Sequence, residues 1–314
     1  MTVGHRRRLL AGTAAARATG LVRRALDERP PGGDERWTRT NHRGEPVSML
    51  EGPAVAAGLV VGGVLGAPRP SAAAAIAVAT VGAAAFGVVD DLTEDTATST
   101  KGLRGHLGAL ARGQVTTGGL KVLGIGATSV LAAALATPLR TASGDRRNVL
   151  GWGTDVVLSG ALVAATANLV NLLDLRPGRA LKAAGLAAAP MALAGGAGAG
   201  AAAAVVGAAA GAIERDLGER DMLGDGGANA VGALLGTAVV LDAPRPVRLA
   251  LLAVAVGLTV ASERVSFTAV IERTPGLREL DAWGRRPAPS PAGDGAWGTA
   301  GAGPSTAANA STPA

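Results

Sequence analysis

The stretch AAGLAAAPMALAGGAGAGAAAAVVGAAAGAI, residues 183–213, carries no charged side chain. As one α-helix it would rise about 1.5 Å per residue and overshoot the roughly 30 Å hydrocarbon thickness of a bilayer. It is therefore read as two short spans. The turn is placed at Gly195, Gly196, Gly198 and Gly200, because glycine tolerates the positive φ of a tight reversal. Parity follows from this reading. Two spans leave the flanking segments on one membrane face, whereas one span would put them on opposite faces.

The rest of the chain has the same character. Of 314 residues, 48% are hydrophobic and 17% charged, a balance that points to the membrane. Phe86 and Phe267 are the only Phe and Tyr is absent, so Ala, Val and Leu carry the apolar character. The absence of cysteine excludes a disulfide framework, a thiolate metal site and a cysteine nucleophile. The net charge of +6 comes with no aromatic-interleaved basic face or zinc-finger spacing, so no nucleic-acid partner is expected and a membrane surface explains the basicity.

Six further windows, residues 52–67, 71–89, 118–137 (interrupted by Lys121), 156–173, 226–241 and 247–262, bring the expected spans to eight. The expected fold is all-α, a polytopic integral membrane protein with short Ala/Gly-rich helices that let backbones approach closely. GxxxG-type spacings arise by chance in so glycine-rich a chain and carry no function; a homodimer is left open. Residues 1–51 hold Arg6, Arg7, Arg8, Arg17, Arg23 and Arg24 and leave only residues 9–16 uncharged. That is too short to span, and an interfacial basic segment with a cytoplasmic start is expected. Residues 52–262 form the transmembrane domain and 263–286 a cytoplasmic amphipathic segment. Residues 287–314, rich in Pro, Ala, Gly, Ser and Thr, read as a disordered tail in which the Asn309-Ala-Ser311 sequon is a coincidence.

With eight spans and both termini on one side, that side holds 24 of the 30 Lys and Arg. The positive-inside rule makes it cytoplasmic, in a multi-pass cell-membrane protein. It also gathers 21 of the 24 acidic residues, which contribute little to orientation. A site on the cytoplasmic face accounts for them.

Three hairpins bring chemistry-bearing residues to that face. Asp90 and Asp91 end a span in Phe86-Gly-Val-Val-Asp-Asp-Leu-Thr-Glu-Asp95; carboxylates at a bilayer edge are costly, and adjacent ones suit Mg²⁺ shared with substrate phosphates. Asn168, Asn171 and Asp174 lie at i, i+3 and i+6, on one flank of a helix. Asp225 and Asn229 enter a span from a glycine turn, where an N-cap is the plainer role for the Asp. Lys101, Arg104, His106, Lys121, Arg176, Arg179 and Lys182 accompany them. Metal and cations together at an interface suit a phosphate-bearing substrate.

In order and spacing, Asn41-His-Arg-Gly44, Asp90-Asp91, Lys101-Gly-Leu-Arg-Gly-His106, Thr116-Thr-Gly-Gly-Leu-Lys121, Asn168xxAsn171xxAsp174 and Gly224-Asp225-Gly-Gly227 resemble the polyprenyl-phosphate N-acetylhexosaminyl-1-phosphate transferase superfamily over residues 41–286. The resemblance implies phosphosugar transfer from a UDP-sugar to a polyprenyl phosphate with release of UMP. It implies catalytic and Mg²⁺-binding roles for Asp90, Asp91 and Asp225. Substrate contacts are implied for Asn168, Asn171, Asp174, Lys121, His106, Arg176, Arg179 and Asn229. The chain departs from the family where Asp174-Leu-Arg-Pro-Gly-Arg179 replaces Asp-Gly-x-Asp-Gly, where Ala228 replaces a serine, and where residues 262–271 lack the expected histidines. With these departures, the resemblance implies a divergent subgroup. They also motivate the alternative of a non-catalytic lipid-carrier-binding or scaffold homologue. A prenyltransferase would need a second Asp-rich motif, and a transporter a charge in mid-span.

Overall fold

The computed structural model describes residues 3–93, 117–139 and 148–287, so Asp95, Lys101, Arg104, His106 and the 309–311 sequon lie outside the described residues. Eleven α-helices are described: α1 (Val3–Glu28), α2 (Glu51–Gly66), α3 (Pro70–Thr93), α4 (Thr117–Ala136), α5 (Val149–Leu173), α6 (Arg179–Ala194), α7 (Ala199–Leu217), α8 (Gly224–Asp242), α9 (Arg245–Ser262), α10 (Phe267–Arg273) and α11 (Leu277–Ala282). The described sheet is one antiparallel hairpin, β1 (Thr38–Thr40) with β2 (Pro46–Ser48). Each of the eight apolar windows is helical. Four helices, Pro70–Thr93, Gly118–Ala136, Val149–Leu173 and Arg245–Ser262, are long and apolar enough to cross a membrane.

The decisive stretch is two helices. Gly195 and Gly196 sit at φ 92° and 99°, a region where an L side chain is strained, and the chain reverses there between α6 and α7. The helices consequently alternate in direction. Asp90, Asp174 and Asp225 come to one end of the bundle, here called the carboxylate end. The 195–198 turn and the 67–70 connection lie at the far end.

Two sequence expectations are corrected. The window beginning at residue 156 stops at Asp155, yet α5 starts at Val149. Asp155 is buried and takes Arg248 of α9 at 3.0 and 3.1 Å, so its charge is met inside the bundle. The larger correction concerns residues 1–51. α1 does not lie apart as an interfacial helix; it packs lengthwise on α2 and α7 through a buried stripe of Ala11, Ala15, Thr19 and Arg23, one residue per turn. Its start is at the far end, where Arg7 donates to the Ala67 carbonyl (3.3 Å) and Arg8 to those of Ala192 and Leu193 (2.7 and 2.8 Å). Its end is at the carboxylate end, where Arg23 meets Asp221 at 2.7 and 2.9 Å. The first residues of α1 therefore lie at the end of the bundle away from Asp90, because the small residues between the arginines form a packing surface.

That surface leaves no room for a methyl group. A Cβ on Gly207 of α7 would collide with the Gly12 carbonyl oxygen of α1, and one on Gly62 of α2 with the Ala11 carbonyl oxygen. Close backbone approach lets dispersion act without large side chains. Replacing Gly207 with Ala should destabilise the protein by about 1–3 kcal/mol through overpacking, while Gly185→Ala, where a Cβ meets nothing within 4 Å, should not. Unfolding midpoints in detergent test this; equal midpoints for the two variants would remove α1 from the packed bundle.

Candidate functional site

The site grows from the start of α8. The first N–H groups of a helix have no intrahelical partner. Here the carboxylate of Asp91, at the end of α3, accepts the backbone N–H of Asp225 (3.0 Å) and of Gly226 (2.9 Å). The capping expected of Asp225 is thus performed from another helix. Gly224 makes this possible at φ 62°, with Asp91 Oδ2 only 3.1 Å from where a Cβ would stand. With its backbone capped, Asp225 leaves its carboxylate to Lys121. The Lys121 ammonium, on the first turns of α4, donates to Asp90 Oδ2 at 2.8 Å and to Asp225 Oδ2. Asp90, Asp91, Lys121 and Asp225 therefore form one cluster, drawn from three helices.

Asn229, one turn into α8, is buried and donates to the Asp225 carbonyl (2.7 Å). Asn168 on α5 donates to Thr259 of α9 at 3.2 Å. Both line a largely apolar cavity of about 250 Å³ that runs from Lys121 along Val122, Ile125 and Val256. On the other side Asp174 follows the end of α5, half-buried, with Asn171 one turn before it. Asp174 lines a second, polar cavity of about 260 Å³ with Asn41, His42, Arg176, Asp216 and Glu219. Burial raises the Asp174 carboxyl well above the usual range, and Asp216, Asp225 and Asp91 add to it, while the Gly224 N–H acts in the opposite direction.

Arg179 is not at this cavity. It is buried and clamps Asp281 of α11 at 2.7 and 3.1 Å and Thr268 of α10 at 2.9 Å. Lys182 donates to the carbonyls of Leu280, Asp281 and Trp283. The substrate role expected of Arg179 is replaced by a structural one, since the hydrogen bonds it makes hold the C-terminal helices to α6. Arg176 lies near Glu272 at 3.5 Å and keeps part of its surface open.

Sequence reasoning counted the acidic excess at this end without assigning most of it. Asp221 takes Arg23 and Arg215; Glu219 takes Arg43 at 2.8 Å. Glu51, the first residue of α2, is buried, and among the described residues neither of its carboxylate oxygens has a hydrogen-bond partner. For Glu219 and Asp221 a signal was present, since Glu214-Arg-Asp216-Leu-Gly-Glu219-Arg-Asp221 alternates charge within one connection, a pattern that suggests ion pairing.

Among the described residues, no three His, Cys, Asp or Glu are grouped so as to hold a metal ion. Asp90 and Asp225 nonetheless reach the same ammonium. Two hard oxygen donors that close are the protein share that Mg²⁺ commonly takes when phosphates and waters complete its shell. No protein-family model matches this chain, and no curated protein matches it.

Proposed function

We propose that this chain is a Mg²⁺-dependent phosphosugar transferase that joins a UDP-sugar to a polyprenyl phosphate at the cytoplasmic face of a cell membrane. The carrying observation is the Asp90, Asp91, Lys121 and Asp225 cluster itself: its Lys121 lines the apolar cavity, and its Asp91 and Asp225 are near enough to act on Asp174, which lines the polar one. An amphiphilic phosphate and a nucleotide-sugar need such a pair of cavities meeting at a cationic and metal-binding centre.

In this reading the prenyl chain lies in the cavity beside α9, and its phosphate reaches Lys121. The nucleotide enters from Asn41 and Asp174, with Asn171 and Arg176 alongside. An oxygen of the lipid phosphate forms a bond to the sugar-bearing phosphorus, the bond from that phosphorus to the bridging oxygen breaks, and UMP leaves with the electron pair. A phosphate monoester is largely dianionic at neutral pH, so no strong base is required. Asp90 and Asp225 would hold Mg²⁺, which offsets charge on the diphosphate and on the leaving UMP. Asp91, fixed by the start of α8, positions Asp225. Lys121, whose ammonium lies within reach of both carboxylates, would contact phosphate.

The nine helices from α1 to α9 traverse the membrane in alternation in this proposal. The carboxylate end is cytoplasmic and the first residues of α1 are on the opposite side. A second reading, a lipid-carrier-binding protein without turnover, draws on Lys121 already being paired with both Asp90 and Asp225.

Purified protein given undecaprenyl phosphate, Mg²⁺ and a panel of UDP-sugars should release UMP from one donor. Asp90→Asn and Asp225→Asn should each reduce release by at least about a hundredfold. Lipid binding without release from any donor would favour the second reading. Topology is tested separately on the cysteine-free chain: His42→Cys should be labelled from the cytoplasmic side and Gly4→Cys from the other. Labelling of both from one side would overturn the alternating arrangement.

A further inference from the structure

At the far end of the bundle, opposite the carboxylates, the chain forms another cavity, of about 310 Å³. It is lined by Arg7 and Arg8 of α1, Gly66 of α2, Gly195 and Gly196 of the α6–α7 turn, and Gly200 of α7. Arg7 and Arg8 hold carbonyl groups there: Arg7 Nη1 that of Ala67, Arg8 Nη1 those of Ala192 and Leu193, and Arg8 Nε that of Gly4. Each guanidinium has five N–H donors, so Arg7 Nε and Nη2 and Arg8 Nη2 remain beyond these bonds. Among the described residues neither has a carboxylate within ion-pair distance, although other arginines of the bundle, Arg23, Arg43, Arg179 and Arg248, do. Asp242 is near, but it accepts the Ala197 N–H at 2.9 Å.

The walls say which anion fits. The glycines leave backbone at the surface of the cavity, so a bulky tetrahedral group can approach the two guanidinium planes. The ends of the same helices carry exposed leucines: Leu9 and Leu10 on α1, Leu65 on α2 and Leu193 on α6. Two unpaired cations in a concavity bordered by exposed apolar side chains match an ion that brings its own hydrocarbon.

We propose that this far-end cavity binds the phosphate headgroup of an anionic phospholipid, held by Arg7 and Arg8 with its acyl chains against the flanking leucines. The site is independent of the transferase reading, lying at the other end of the bundle and sharing no residue with it.

The test uses the full chain in nanodiscs of phosphatidylcholine with or without phosphatidylglycerol, and reads the lipid retained by native mass spectrometry. Wild type should retain phosphatidylglycerol about tenfold over phosphatidylcholine, and Arg7→Gln/Arg8→Gln should abolish that preference. Because Arg8 also holds the end of α6, the double variant can fail to fold. Ala197→Asp, which adds a carboxylate to the cavity lining and leaves both arginines in place, should abolish the preference in a folded protein. Undiminished retention in Ala197→Asp would overturn the proposal. So would inorganic phosphate that displaces phosphatidylglycerol at equal concentration, since that would mark a free-anion site.

Discussion

The carboxylate of Asp91 receives the two N–H groups that open α8, and through this pair of bonds the end of α3 and the start of α8 are held as one unit. Much of the carboxylate end depends on it. Only with the backbone of Asp225 fixed can its side chain turn to Lys121, and only then do Asp90 and Asp225 stand close enough to share one cation. The contact admits no side chain at its margins. A Cβ on Gly87 of α3 would collide with the Asp225 carbonyl, and Gly224 holds a φ of 62° beside the Asp91 carboxylate. An acid, two glycines and a helix start thus specify one another.

Around this unit the chain settles its charges by pairing. Arg23, Arg43 and Arg215 take Asp221 and Glu219, tying α1 and the hairpin to the connection before α8. Arg179 and Lys182 fasten α10 and α11 to α6. A buried ion pair contributes little net stability against an apolar substitute, but losing one partner is costly. Their effect here is placement. They hold Asn41, Asp174 and Asp216 around one polar cavity, while the cluster of Asp90, Lys121 and Asp225 keeps its own balance next to the apolar one.

Much of the bundle could be read from residues alone, for reasons that mark where reading stops. The charge-free run 183–213 is too long for one crossing and holds adjacent glycines, so length and backbone freedom decide it together. Asp90, Asp174 and Asp225 each close or open an apolar window, and alternation of helices brings them to one end. The packing of α1 in the bundle is not legible because its arginines dominate any hydropathy reading, whereas that packing depends on Gly12, Ala11 and Ala15, which such a reading weighs lightly. The role of Arg179 was missed because its partner, Asp281, lies far along the chain and no local pattern links them. Membrane-like windows and end-of-helix carboxylates are local properties; the pairing of distant charges is not.

The contact of Gly207 with the backbone of α1 changes what counts as a mild substitution. In most cores alanine is the neutral probe, the residue that removes a side chain and disturbs little else. In this chain much of the interior is already alanine, and the informative positions are those where a single added methyl group separates two helices. A mutational survey built on alanine would thus leave many interior positions unchanged and act at its glycines as an insertion instead of a deletion.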